Sequence, residues 1–244
     1  MNSTEFIQQL ELLPADPAAP LPDYSMFESD SKTPSYLNFK GLQSFSDGIA
    51  ESVQKDVLNS MLLAQRAASK AFPGEDQLDD WYDFYFKVLE NVGWLISMKD
   101  FSKYSEKSDV FELEKAIISL VTDLLTAQQI NVLLKSLELI KSLGKDDERL
   151  KVFQRNIQKH NRGNFQMGLA ETQNGNVHIL GTGFILKSKA SMTNVLFLKF
   201  DKEEIELGFR FFRAELVASE YDKYRDLVKQ KLGDPNEFIA SLDV

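Results

Sequence analysis

The chain of 244 residues is 43% hydrophobic and contains no cysteine. This length suffices for a buried core, and the absence of cysteine excludes disulfide scaffolds, thiolate zinc sites and cysteine nucleophiles. The formal charge of −9 argues against broad binding of nucleic acid or anionic lipid, because both need a positive field.

The N-terminal segment is predicted to be an arm. Residues 1–13 favour a short helix, because Asn2 can cap it and Glu5 can complete a capping box. Prolines follow at Pro14, Pro17, Pro20 and Pro22. Because proline interrupts helices and favours extended backbone, we predict a flexible proline-rich arm over 1–40, detachable up to about Lys32. The arm is either a disordered tail or a docking peptide that orders on a partner.

Localisation is judged from two apolar segments. Residues 1–13 lack the basic start and the continuous apolar run of a secretory signal, so a cytoplasmic location is the default expectation and non-classical export stays open. The run from Ala116 to Leu134 is closest to a membrane span, but Asp123 and Asn131 would be costly in hydrocarbon. This run is predicted to be a soluble helix.

Residues 41–163 are predicted to be helical. Apolar residues recur at helical spacing, and the expected helices cover about 45–72, 76–98, 110–143 and 146–160. Pro73-Gly74 ends the first of these helices and Gly144 ends the third. Thr126 and Gln129 form a second capping signal inside the third segment, which therefore contains two helices or one kinked helix.

A hairpin with a defined register is predicted around Asn174-Gly175. This pair tolerates positive φ and is typical of the type I′ turn between two strands. The turn places Gly168 opposite Gly181 and Gln166 opposite Gly183, while the bulky apolar side chains lie on the other face.

A second hairpin is predicted from about Asn194 to Val217, with Lys202-Glu203 as its turn and Phe200 opposite Ile205. The two hairpins together would form a four-stranded antiparallel meander, followed by a helix over about 219–232. Alternation of apolar and polar residues indicates a sheet that is wet on one side, so helices are expected to cover only one face fully.

These elements predict an α+β protein with an N-terminal helical bundle, a four-stranded antiparallel meander and a C-terminal helix. The predicted regions are the arm at 1–40, the helical region at 41–163 and the meander with its helix at 164–244. The last two regions are expected to pack together as one unit.

The sequence contains little that indicates catalysis. Its two histidines, His160 and His178, lie in no recognisable motif; His178 faces Glu171 across the first hairpin, and His160 is typical of a helix end. No G-x-S-x-G elbow is present, and Gly181 and Gly183 lack the third glycine of a dinucleotide fingerprint. A site assembled from scattered carboxylates stays open.

Two clusters of charge were considered as binding sites. The acids Glu75, Asp76, Asp79, Asp80 and Asp83 share a helix face but lack the spacing of a calcium loop. We expect no metal and no cofactor. The cations Arg149, Lys151, Arg155, Lys159 and Arg162 form a run without acids. That run is either a contact for phosphate or an acidic partner, or the solvated face of a helix.

The glycines of the first hairpin form the candidate interaction surface. Glycine leaves no side chain to pack, so the cluster of Gln166, Gly168, Gly181 and Gly183 requires either a close approach by the chain's own elements or a groove for a partner. No other residues are singled out as a site.

The leading hypothesis is a non-enzymatic protein that acts through contact with another macromolecule, most simply a protein, with no nucleic acid partner. The alternative is a membrane-acting virulence or pore-forming protein. It is motivated by the apolar helical stretch Ala116 to Leu143 beside a sheet with apolar residues on both faces, which could rearrange to expose a lipid-seeking surface. The third hypothesis is an enzyme that uses scattered carboxylates.

Overall fold

A mixed β-sheet forms the middle layer of the fold, and helices pack on both of its faces. The computed structural model describes residues 2–15, 31–98, 101–105, 110–122, 125–144, 146–189, 199–201 and 204–242. Within these ranges the chain is an α+β protein, as predicted from the sequence, with a nine-stranded sheet and a separate pair of strands.

The bounds of the elements are as follows. The helices are α1 (Ser3–Gln9), α2 (Glu51–Ala71), α3 (Leu78–Asn91), α4 (Leu113–Thr122), α5 (Ala127–Ser142), α6 (Glu148–Ile157), α7 (Ala218–Tyr221) and α8 (Arg225–Leu232). The strands are β1 (Ser35–Asn38), β2 (Gly41–Phe45), β3 (Trp94–Met98), β4 (Ser102–Lys103), β5 (Val110–Glu112), β6 (Gln158–Lys159), β7 (Arg162–Gln173), β8 (Asn176–Ser188), β9 (Lys199–Asp201), β10 (Ile205–Leu216) and β11 (Ile239–Ser241).

The strands of the large sheet follow the order β11-β1-β2-β7-β8-β10-β3, with β4 beside β10 and β6 beside β7. Strand β2 runs parallel to β7, so the sheet is mixed and the prediction of a purely antiparallel sheet is wrong. A parallel pair needs a long crossover connection, and helices α2 to α6 lie in the chain between these two strands.

The predicted order of a helical bundle followed by a meander is not confirmed. The hairpin β1–β2 precedes the first long helix, and β3 lies within the region predicted to be helical. Strands β1 and β2 are short and buried at every residue, so they lack the alternation of exposed and buried positions that marks a strand in the sequence. Their pairing partners, β7 and β11, are also distant in sequence.

The first hairpin has the predicted register. Asn174 and Gly175 form the turn with φ of 55° and 84°. Gly168 lies opposite Gly181 and Gln166 opposite Gly183. The local turn chemistry was therefore sufficient to place β7 against β8.

The second predicted hairpin is wrong. Strand β9 pairs with β5, so that Phe200 lies opposite Phe111 rather than Ile205. Strand β10 instead pairs with β8 along twelve residues, from Ile205 opposite Ser188 to Leu216 opposite Val177. This pairing covers the whole length of β10. The predicted turn at 202–203 and the predicted strand residues 194–198 lie outside the described residues.

The helix predicted over 76–98 ends early. Helix α3 stops at Asn91, and Gly93 follows it with φ of 100°, a left-handed conformation that favours glycine. A β-carbon at Gly93 would also lie only 2.7 Å from the backbone nitrogen of Tyr221. The chain after Gly93 forms β3, which pairs with β10.

The sheet divides the core into two clusters. The first, which we call the α2 layer, joins α1, α2, α3, α7 and α8 to one face of the sheet. The second, which we call the α5 layer, joins α4, α5 and α6 to the opposite face. Because the sheet lies between them, the two layers pack largely independently.

The predicted detachable arm is wrong for α1. Asn2 and Glu5 form the expected capping box, but Ile7 and Leu10 are buried in the core of the α2 layer. The ring centroid of Phe6 lies 6.2 Å from that of Phe84 on α3. Residues 16–30 of the predicted arm lie outside the described ranges. Strand β1, which the prediction also placed in the arm, instead lies within the sheet between β11 and β2.

The segment predicted as two helices or one kinked helix forms α4 and α5. Thr126 and Gln129 make the capping box expected at the start of α5. Among the helices that the structure describes, none is both long enough and apolar enough to cross a membrane.

Candidate functional site

An apolar groove lies between the α5 layer and the sheet. Its volume is about 350 Å³. The α5 layer contributes Val121 of α4, Leu133 of α5 and Leu125 of the segment between these helices, and they lie over strands β7, β8 and β10. The sheet contributes Ser97, Met167, Gly168, Leu169, Leu180, Gly181, Thr182, Phe211, Phe212 and Arg213.

Two rows of cross-strand neighbours form the floor of the groove. In one row Met167, Thr182 and Phe211 are adjacent across β7, β8 and β10. In the next row Leu169 and Leu180 are adjacent, and Arg213 and Ser97 continue it to the sheet edge. Side chains two residues apart on a strand share a face, so both rows point toward the α5 layer.

The groove is covered at one end and open at the other. Helix α5 packs on β2 and β7, whereas Leu180 and Phe211 are half-buried. At the edge strand β3, Leu95 is 62% exposed and lies opposite Glu215 of β10. Helices therefore cover only one face fully, but it is the face of Arg210 and Phe212, which the alternation predicts to be the wet one.

The groove contains little polar chemistry. Arg213 is exposed, and it is the ionisable side chain among the lining residues of the described chain. Thr182 contributes a buried hydroxyl group and Ser97 an exposed one. This composition suits contact with apolar matter, because general acid–base catalysis needs titratable groups with matched pKa values at the reacting atoms.

The predicted glycine surface faces the opposite side of the sheet. A β-carbon at Gly183 would lie 2.6 Å from the ring of Tyr82, and one at Gly168 would lie 2.5 Å from Oε1 of Gln43. At Gly181 the same space holds the ring of Phe212. The backbone of Gly168 and Gly181 nevertheless lines the groove on the other face.

Gln166, the fourth residue of that surface, is 1% exposed, and neither polar atom of its side chain has a hydrogen-bond partner among the described residues. The four residues are thus brought together by the register, under elements of the same chain. Their role as an interaction surface stays a prediction.

Tyr82 explains why the chain carries glycine at this place, and the sequence did not single it out. Its hydroxyl lies 2.8 Å from the carbonyl oxygen of Phe165 and 3.0 Å from that of Phe184, and it accepts the N–H of Phe184 at 3.1 Å. Burial raises the pKa of Tyr82 well above its ordinary value, so the hydroxyl group stays neutral and links the backbones of β7 and β8 by hydrogen bonds.

The two histidines lie outside the groove. His178 faces Glu171 across the hairpin as predicted, and Glu171 accepts a hydrogen bond from Nε2 of Gln129 at 2.7 Å. Nδ1 of His160 lies 2.9 Å from Oε1 of Glu75. Within the part of the chain that the structure describes, no three histidine, aspartate or glutamate side chains are grouped to hold a metal ion.

The predicted basic run does not act as one unit. Arg149 forms a salt bridge with Asp147 at 2.8 Å, and hydrogen bonding from Arg149 lowers the pKa of Asp147. Nζ of Lys151 lies 3.2 Å from Oε1 of Glu148. Arg155 and Arg162 instead line a second cavity, which lies beside the segment from α6 to β7.

By sequence, no known protein family and no curated protein matches the chain. Solved structures are similar in fold. One is a delta-endotoxin, with a TM-score of 0.41 at 8% identity over 73% of this chain and 81% of the other. Another is the Evf virulence factor, with a TM-score of 0.35 at 12% identity over 94% and 88% of the two chains.

A third similar structure is the activated Cyt2Ba monomer from Bacillus thuringiensis subsp. israelensis. Its TM-score is 0.28 at 12% identity, over 50% of this chain and 72% of the other. Resemblances of this size do not establish a function, because one fold serves many functions.

Proposed function

We propose that this protein acts on membranes, as a virulence-type or pore-forming protein, by bringing the groove face of the sheet against lipid. The observation that carries the proposal is the incompletely covered apolar face, with Leu180, Phe211 and the exposed Leu95 beside the groove. Exposed contiguous apolar surface is typical of interaction with a protein or a membrane.

Separation of the two core layers supports a rearrangement. The α2 layer and the α5 layer lie on opposite faces of the sheet, so the second can lift without loss of the first. Part of the contact of α5 with the sheet is polar: Oγ of Ser136 lies 2.8 Å from Oγ of Ser35 and 2.6 Å from Oγ of Ser44. Lifting α5 would uncover Met167, Leu169 and their neighbours.

The net charge of the chain bears on whether binding should depend on anionic lipid. With a formal charge of −9, the protein gains no general attraction to anionic lipid. We therefore expect apolar insertion to drive binding, and dye release from phosphatidylcholine vesicles that does not increase when phosphatidylserine is added.

A disulfide lock tests the rearrangement. The chain has no cysteine, so Ser44→Cys combined with Ser136→Cys introduces the sole thiols, at positions whose hydroxyl oxygens are 2.6 Å apart. We expect the oxidised variant to lose most dye release and the reduced variant to keep it. The matched control is Ser35→Cys with Ser44→Cys, which joins β1 to β2 and leaves α5 unattached.

Membrane action and the rearrangement are contradicted by different outcomes. Absence of dye release and of co-sedimentation with vesicles at acidic and neutral pH would remove it. Equal release from the locked and unlocked protein would show that release does not require α5 to leave the sheet, and would remove the rearrangement. Binding of a protein segment in the groove without leakage would favour the hypothesis of a non-enzymatic interaction protein instead.

A further inference from the structure

A second cavity lies between the turn that joins α2 to α3 and the segment from α6 to β7. Its volume is about 310 Å³. Three cations line it, namely Lys40, Arg155 and Arg162, which come from distant parts of the chain. The sequence placed Arg155 and Arg162 in a basic run but contained no signal that Lys40 joins them.

One carboxylate, that of Glu75, also lines this cavity, and it is in contact with a histidine side chain. Oε1 of Glu75 lies 2.9 Å from Nδ1 of His160, and the backbone carbonyl of Glu75 accepts a hydrogen bond from Arg162 at 2.6 Å. The neighbouring acids Asp76 and Asp79 are exposed and do not line the cavity. Cations therefore outnumber acids here, in a chain that is acidic as a whole.

A buried amide supplies a donor at the cavity wall. Asn164 is 2% exposed, and its Oδ1 accepts a hydrogen bond from Nζ of Lys40 at 2.7 Å. That bond leaves Nδ2 as the free end of the amide, and Nδ2 has no partner among the described residues. A buried donor without a partner is destabilising, and an acceptor oxygen of a bound ligand would satisfy it.

Three aromatic side chains form part of the wall. Trp81, Phe72 and Phe39 line the cavity, and Nζ of Lys40 lies 5.7 Å from the centroid of the Trp81 ring. The site thus combines cations with an apolar surface. Arginine matches the oxygens of phosphate with its planar fork, and the rings suit a short apolar group.

We propose that this cavity binds a phosphate ester that carries an apolar group. The phosphate oxygens lie among Lys40, Arg155 and Arg162 and accept from Nδ2 of Asn164, and the apolar part rests on Phe72 and Trp81. Its source is either a phospholipid headgroup or a soluble phosphate ester. The proposal is independent of the groove, which lies on the other side of β7.

Trp81 reports binding directly. The chain has two tryptophans, and Trp94 is buried away from this cavity, so Trp94→Phe leaves Trp81 as the single fluorophore. In that background we expect hexyl phosphate to change Trp81 fluorescence in a saturable way. Hexanol at the same concentration should give no change, because it lacks the anion.

The charge variants are matched on one helix. Arg155→Gln removes a cation that lines the cavity and keeps a polar side chain at an exposed position, so a small change in stability is expected. We expect it to weaken binding by about tenfold or more. Lys151→Gln removes a cation from the same helix that pairs with Glu148 and does not line the cavity, and it should leave affinity unchanged.

An experiment with vesicles distinguishes a phospholipid headgroup from a soluble phosphate ester as the source of the ligand. A saturable change in Trp81 fluorescence with phosphatidylcholine vesicles that contain phosphatidic acid would assign a lipid headgroup, and a change with hexyl phosphate alone would assign a soluble ester. Absence of any saturable change, or equal weakening by Arg155→Gln and Lys151→Gln, would overturn the proposal. Neither result depends on whether the protein releases dye.

Discussion

Gly183 and Tyr82 form a contact that leaves no room for a side chain on the strand. The tyrosine hydroxyl is held between the backbones of Phe165 and Phe184, so its ring cannot withdraw without breaking buried hydrogen bonds. The close approach of α3 therefore requires glycine at position 183. Of the two explanations that the sequence offered for this glycine, close approach by the chain's own elements is the one that applies.

Gly183→Ala should lower the free energy of unfolding by about 1 to 3 kcal/mol, because the added methyl group overpacks against the Tyr82 ring. Denaturant titration of the purified variant measures this. The matched control is Gly208→Ala on β10, where a β-carbon would be no closer than 3.7 Å to any neighbour. Equal stability of the two variants would show that Tyr82 moves aside.

At the scale of elements, α1 is a short helix that is stabilised by docking. Seven residues are too few for an isolated helix in water, so its formation depends on the burial of Ile7 and Leu10. Lys231 of α8 also donates a hydrogen bond to the backbone carbonyl of Gln8 at 2.8 Å. The element belongs to the α2 layer despite the prolines that follow it.

Ile7→Ala should cost about 2 kcal/mol or more of unfolding free energy, since it removes a fully buried side chain from that contact. Gln9→Ala, an exposed position on the same helix, should change stability by less than about 0.5 kcal/mol. Chemical denaturation of both variants decides the matter. An unchanged midpoint for Ile7→Ala would restore the picture of a detachable arm.

At the scale of the whole molecule, the two layers differ in how deeply they are buried. In α2, 15 of 21 residues are buried, whereas in α5 4 of 16 are buried. Local opening free energies follow the number of buried contacts, so the α5 layer should be the weaker of the two. This asymmetry is what the proposed membrane action requires.

Native-state hydrogen exchange should therefore show lower protection for the amides of α4 and α5 than for those of α2. The oxidised Ser44→Cys, Ser136→Cys variant should raise protection in α5 and leave α2 unchanged. Protection of α5 equal to that of α2 would contradict independent layers, and with it the mechanism proposed for lipid contact.

What the sequence determined by itself is local. The turn at Asn174-Gly175 set the register of β7 against β8, and Thr126 with Gln129 marked the start of α5, because each signal acts within a few residues. The tertiary structure alone decided the partner of β10, the parallel entry of β2 and the meeting of Lys40 with Arg155. These contacts join residues distant in the chain, and they follow from competition among whole strands and helices for burial, which no short pattern of residues encodes.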